Sequence, residues 1–361
     1  MKFTVSQSDL SSAMAFVTSA VESKSTMPIL QNVLIVACND KLKLTCTNLS
    51  LEKSAFIKAS IESSGSITVP ARKLLDFAKN ADSTKDILFE LSGAEATIKS
   101  GRSRWKLSTL LSSEFPEILT NDEESKFVEV DIQELSKGIK KTSSAMANKD
   151  NRYYLNGMLF DIKNDGVTIV ATDGHRMSMY KIDSDNDFEK QSIVMRDSVP
   201  DISRMIDDET DVKISVSANY FRLTSETKSI KTKLIDGKYP DYNRVLPKEF
   251  NGSAEFSKID IERAIRRAMP LANEKYKGFR FTFSNDTLRV QASNQQQEEA
   301  FEEIPCNVDG DDVEIGFNGE YVQDAVSNID ADSVVIQIRD AGSSIRIDSG
   351  RYTSTIMPMR L

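Results

Sequence analysis

Hydrophobic and polar positions along the 361-residue chain follow one pattern three times. Each copy opens on a short strand-like segment, Phe3-Thr-Val, Phe127-Val-Glu-Val or Ala254-Glu-Phe. It then enters a stretch with apolar residues at helical spacing, Ser8–Val21, Asp131–Met146 or Lys258–Met269. Two strands follow, broken by Asn, Asp or Gly, the composition of a tight hairpin turn. They are predicted over Asn32–Ala37 with Leu42–Thr47, Gly157–Ile162 with Val167–Thr172, and Gly278–Phe283 with Thr287–Ala292. A second helix is predicted over Ala71–Lys79, Val199–Ile206 and Gly319–Ile329, and further strands over Asp86–Leu91, Asp211–Val216 and Ser333–Ile338. The period is about 120 residues, far longer than a solenoid repeat, so the repeating unit is a whole domain.

The pattern therefore predicts an α+β protein of three repeated domains, 1–122, 123–248 and 249–361, each with two helices packed on antiparallel sheets. With 39% hydrophobic and 28% charged residues, each unit can build a full core. No apolar run approaches the roughly 20 residues of a membrane-spanning helix, and the opening Met-Lys-Phe-Thr-Val has no signal-peptide profile. A cytoplasmic protein is expected, with no membrane partner. Three cysteines without a close-spaced pair make neither a disulfide framework nor a metal site. Cys38 and Cys46 fall in step with Leu34, Val36, Leu42 and Leu44 and are expected as small core residues.

A net charge of −9 argues against binding nucleic acid through bulk positive charge. The distribution changes that picture. Lys137, Lys140 and Lys141 share one face of the second copy's opening helix, and Arg263, Arg266 and Arg267 repeat the spacing in the third. Ile132, Leu135, Ile139 and Met146 oppose the first trio, while Ile261, Ala264, Ile265 and Ala268 oppose the second. Either these are solvated faces of amphipathic helices, or equivalent helices point one way and their weak stripes add into a surface for a polyanion.

Catalytic signatures are missing. There is no phosphate-cradling Gly-x-x-x-x-Gly-Lys-Ser/Thr and no Gly-x-Gly-x-x-Gly, so no nucleotide cofactor is expected. The single histidine, His175, excludes a site built on two imidazoles, and no metal is expected. Asp173 precedes it by two residues, but no Ser or Cys sits in a nucleophile elbow. The alternative reading is a turn, with Asp173-Gly174 reversing the chain and His175 beside Arg176.

Longer strings are more specific: Arg152-Tyr-Tyr-Leu-Asn-Gly-Met-Leu-Phe160, Ala171-Thr-Asp-Gly-His-Arg176, Pro28-Ile-Leu30, Val69-Pro-Ala-Arg-Lys73, Ser100-Gly-Arg-Ser-Arg104, Tyr239-Pro-Asp-Tyr242 and Met357-Pro-Met-Arg-Leu361. With them, and along its full length, the chain resembles the bacterial DNA polymerase III beta subunits, the replicative sliding clamps. The resemblance implies a ring-forming fold, closed by a head-to-tail homodimer around double-stranded DNA and held without regard to sequence. It implies a non-enzymatic processivity factor.

From the resemblance, DNA contacts fall on Lys24, Lys149, Arg152, Tyr153 and Tyr154; Asp197, after Arg196, stands where some relatives carry a basic residue. It also implies a groove that takes short linear motifs of the replicative polymerase catalytic subunit, the clamp loader and repair polymerases. The matching positions begin with Leu155, Thr172, Gly174, His175, Arg176 and Met177. They continue through Pro240, Arg244 and Val245, then Tyr276, Asn318 and Tyr321, and end on Met357, Pro358 and Met359. Subunit-junction positions map onto Trp105, Leu107 and Leu271, with Pro270 ending the helix before the last. Two other classes stay open on composition alone: a carboxylate-dependent nuclease or other DNA-processing enzyme, and an acidic adaptor that binds only proteins.

Overall fold

The computed structural model describes residues 1–22, 26–116, 125–284 and 286–360. Among them are six α-helices: α1 Gln7–Thr18, α2 Ala71–Asn80, α3 Ile132–Ser143, α4 Val199–Asp208, α5 Lys258–Ala268 and α6 Gly319–Ser327. The starts of α1, α3, α5 and α6 are written locally, because the first N–H groups of a helix need acceptors. Ser6 Oγ accepts from Asp9 N at 3.1 Å and Asp131 Oδ1 from the N–H groups of Gln133 and Glu134 at 2.8 and 3.0 Å. Ser257 and Asn318 cap α5 and α6 in the same way. Pro270 has the effect expected of it, since α5 stops at Ala268 and a short 3-10 turn, Met269–Leu271, follows.

Among the described residues all strand pairs are antiparallel and form three sheets. The first runs Ser60–Ser63, Lys2–Val5, Ile87–Ser92, Glu95–Ser100, Ser103–Ser108. The second runs Lys126–Val128, Lys213–Val216, Tyr220–Thr224, Lys228–Lys233, Leu51–Lys58, Lys41–Thr47, Asn32–Cys38, Gly65–Pro70. The third has twelve strands and carries the closing strand Tyr352–Ile356 against Arg176–Asp183. Each predicted hairpin is present. In the first, Asn39 and Asp40 take φ of 50° and 58°, the conformation a two-residue turn demands and these side chains tolerate.

One rule joins the copies. The closing strand of the second copy, Lys228–Lys233, pairs with the third strand of the first, Leu51–Lys58, in register Lys228↔Ala55 to Thr232↔Leu51. The closing strand of the third copy pairs with the third strand of the second, Arg176↔Ile356 to Tyr180↔Tyr352. Compact units consequently cut across the copies: one holds residues 1–128 with 204–234, the other 129–203 with 235–361.

In the first unit Phe3 stacks on Phe89 at 4.8 Å, both of them buried. In the second, Phe279, Phe281, Phe283 and Phe317 are buried, and α5 lays Ile261, Ala264, Ile265 and Ala268 into the same core as expected. Each such phenylalanine contributes about 2–3 kcal/mol of burial. The expectation for Cys38 is corrected: Cys46 is buried, but Cys38 is exposed. Strand Asn32–Cys38 turns Val33, Ile35 and Ala37 inward, so Leu34 and Val36 are only half-buried and Cys38 ends on their face beside the turn.

Candidate DNA-binding, peptide-binding and junction sites

The basic helical stripes are partly spoken for within the chain. On α3, Lys137 Nζ lies 2.7 Å from Glu134, which its hydrogen bond holds below the ordinary glutamate range. Lys141 is largely buried, pairs with Asp330 at 2.7 Å and sits over the Tyr352 ring. This corrects its place in the stripe. A lysine on α3 satisfied by the loop after α6 has little charge to offer outside, whereas Lys140 is exposed. On α5, Arg267 is gripped by both oxygens of Glu302, while Arg263 and Arg266 are exposed with no ion pair among the described residues. Lys24 lies outside the described residues.

The segment after α3 carries the other expected DNA positions, Lys149, Arg152, Tyr153 and Tyr154. Lys149 is exposed, with φ of 57°, and Tyr153 is 57% exposed on a 3-10 turn, Tyr153–Leu155. Tyr154 packs edge-on to Tyr153 at 5.8 Å and against the core around Leu155. Arg152 Nε and Nη2 reach the carboxylate of Asp150 at 3.0 and 2.8 Å, and Nη2 donates to Asp173 O at 2.9 Å. The Arg152 hydrogen bonds hold the Asp150 carboxyl down at about 2. Arg196 is turned inward, donating from Nη1 to Met146 O at 2.5 Å and Ala147 O at 3.3 Å.

Asp173 organises the next loop. Its Oδ1 accepts from the N–H groups of His175 and Arg176, Thr172 Oγ1 accepts from Gly174 N, and Gly174 takes φ of 88°. This is the predicted turn, with His175 exposed beside Arg176. Arg176 is mostly buried. Its Nε pairs with Asp173 at 3.2 Å, Nη1 with Asp324 of α6 at 2.5 Å, and its guanidinium lies 4.2 Å from the Tyr321 ring centroid. Burial also raises the Tyr321 hydroxyl above the ordinary tyrosine range.

Around this loop most of the expected peptide positions converge. Leu155 and Met177 are core residues with Tyr239 and Tyr242, and Val245 packs on them half-exposed. Asn318 is committed to capping α6. The chain end is docked: Met357 N donates to His175 O and Met359 N to Gly316 O, both at 2.8 Å, leaving the Met357 side chain 40% exposed. Pro240 and Arg244 are exposed, the latter paired to Asp241 at 3.1 Å, and Tyr276 is 55% exposed. Asp150 and Asp324 are constituents that sequence reading missed. Asp150 stands two residues before Arg152 and could have been suspected; Asp324 lies 148 residues from Arg176 and gives no such signal.

At the expected junction, Trp105 is 41% exposed and packs edge-on to Phe77 at 5.1 Å. Leu107 is 5% exposed and serves the domain core, so the chain does not hold it out to a partner. Leu271 is half-buried in its 3-10 turn. Among the described residues, strand Ser103–Ser108 pairs only with Glu95–Ser100, and it carries Arg104 and Lys106 on a sheet edge. In strand Glu299–Asp309, residues Glu299 to Pro305 pair with Thr287–Ser293 and have no strand on the other side among the described residues. There Glu299 and Glu303 flank Phe301, which is 54% exposed. This charge pattern was visible in the sequence but not recognised as two edges.

Among the described residues, no group of three or more His, Cys, Asp or Glu is placed to hold a metal ion, and no helix is long and apolar enough to cross a membrane. Three copies of one α+β unit, with sheets that pass from copy to copy, define a repeat-built DNA clamp. The chain belongs to the DNA polymerase III beta subunit family, whose N-terminal, central and C-terminal domain models match residues 1–119, 129–241 and 243–360. It is 36% identical to the beta sliding clamp of Vibrio cholerae and 34% identical to that of Escherichia coli K12, each over the full length of both chains. Solved sliding clamps from Pseudomonas aeruginosa and Caulobacter crescentus superpose over the whole chain and all of their own, both with TM-score 0.95, at 35% and 27% identity. Its function is that of a DNA polymerase sliding clamp, a non-catalytic processivity factor, and the nuclease alternative has no support among these relatives.

Proposed function

We propose that two copies of this chain close head to tail into a ring around duplex DNA, Ser103–Ser108 of one against Glu299–Pro305 of the other. The rule joining the copies carries this reading. Closing strands pair with the third strand of the preceding copy at both internal joints, which leaves one closing strand and one third strand over. Those two edges have opposite charge, Arg104 and Lys106 against Glu299 and Glu303, and each bears an exposed aromatic, Trp105 and Phe301. Opposite charges choose the partner, and mutual pairing removes two edges open to aggregation. The three domains of each subunit run 1–122, 123–248 and 249–361, and the ring works in the cytoplasm.

Retention by encirclement suits the modest basic surface. Each firm phosphate contact would steepen salt dependence and slow sliding. Arg263, Arg266 and Lys140, with Lys149, Tyr153 and Lys24, keep the duplex centred. The groove around Leu155, Thr172 to Met177, Val245, Tyr321 and the Met357–Met359 tail takes linear motifs of the polymerase, the clamp loader and repair polymerases. A sliding clamp from Pseudomonas aeruginosa has been solved bound to griselimycin, a peptide-like ligand, which supports a peptide site in this chain also. Methionines at its rim adapt to different anchors.

The test is topological. Loaded on nicked circular DNA, the protein should stay bound at high salt and leave when the circle is cut. Degraded DNA would point to a nuclease, and release from the intact circle would leave an adaptor.

A further inference from the structure

Arg152 is tied to two loops at once. Nε and Nη2 are engaged by Asp150, Nη2 also donates to Asp173 O, and Gly174 lies against the guanidinium, where a Cβ would stand 2.6 Å from Nη1. Asp173 in turn caps His175 and Arg176 and pairs with Arg176, while His175 O holds Met357 N. Every link is a direct bond. What Arg152 does at Asp173 is therefore felt across the loop from Thr172 to Met177 and at the tail. Yet its side chain is 46% exposed, so a phosphate can compete for it. A bidentate grip on phosphate would require giving up at least one of the present contacts, because a guanidinium fork is rigid.

We propose that Arg152 couples the DNA face to the peptide groove: it braces the Asp173 loop in the empty ring and turns to phosphate in the loaded one, so that a peptide binds the empty ring more tightly. The inference rests on the DNA and peptide sites proposed above. Coupling between sites is reciprocal, and a single half-exposed link belongs at the low end of the usual range, about fivefold.

The experiment measures the affinity of fluorescently labelled griselimycin for the free dimer and for the dimer loaded on closed circular duplex. Wild type should bind about fivefold more weakly when loaded. Arg152→Ala should weaken the free dimer to the loaded value and abolish the difference, and Asp150→Asn, which removes the competing carboxylate, should widen it. Equal wild-type affinities, or a ratio unmoved by both substitutions, would overturn the coupling while leaving both sites in place. No binding of the probe to the free dimer would remove the groove, and no retention on the circle would remove the ring; either takes the coupling with it.

Discussion

The Asp150–Arg152 pair can be tested by titration. Its hydrogen bonds hold the carboxyl at about 2, against about 4 for an aspartate in an unfolded chain. The sign follows: whatever the pair contributes is fully present above pH 4 and is lost as the pH falls through the folded value near 2. An NMR titration should place the Asp150 midpoint near 2 and return it toward 4 in Arg152→Ala; a midpoint that ignores the substitution would show that the contact is not populated. Sequence legibility at this scale depends on range. The Asp173-Gly174 turn was readable because its bonds close within three residues. The commitment of Lys141 to Asp330, 189 residues on, was not. Cys38 was misplaced because Asn32–Cys38 is apolar on both faces, so alternation alone does not say which face is inside.

Helices and hairpins were legible because capping residues, turn residues and Pro270 act on their immediate neighbours. How closely a helix sits on its sheet is not a local property. Gly138 of α3 faces Ile169 and Tyr180, and a Cβ there would meet Ile169 Cδ1 at 2.7 Å and Tyr180 Cδ1 at 2.9 Å. The Tyr180 hydroxyl is bonded to Glu134 at 2.8 Å, which restrains the ring from moving aside. Gly138→Ala gains roughly 1 kcal/mol of helix propensity but overpacks the contact by about 1–3 kcal/mol. The melting temperature should fall by a few degrees, and a rise would mean that the helix lifts without cost. The tail allows a second test. It is held by two main-chain bonds, to His175 and Gly316, beside the proposed groove. Deleting residues 357–361 should weaken griselimycin binding about tenfold and leave the dimer intact in sedimentation; unchanged affinity would remove the tail from the site.

Pairings between copies decide the assembly, and these were the least legible. Nothing in Leu51–Lys58 announces a partner at Lys228–Lys233, because the two strands belong to different copies far apart in sequence and no local signal links them. The edges left over are different, since their complementarity is written in charge. Lys106 already pairs with Glu95 at 2.6 Å, and Glu303 with Arg289 at 2.9 Å. The fields of these edges are thus partly neutralised, so at the proposed junction they should steer and select more than they bind. Reversing one edge, Arg104→Glu with Lys106→Glu, puts like charges opposite Glu299 and Glu303 along a shared ladder. The dimer dissociation constant should rise by roughly a hundredfold, about 3 kcal/mol, as read by sedimentation over a dilution series. Reversing both edges, with Glu299→Lys and Glu303→Lys added, should restore most of the affinity. It should also yield a chain that no longer forms mixed dimers with wild type, because each mixed junction would set like charge against like. A doubly reversed chain that exchanges freely with wild type would show that the two edges do not meet.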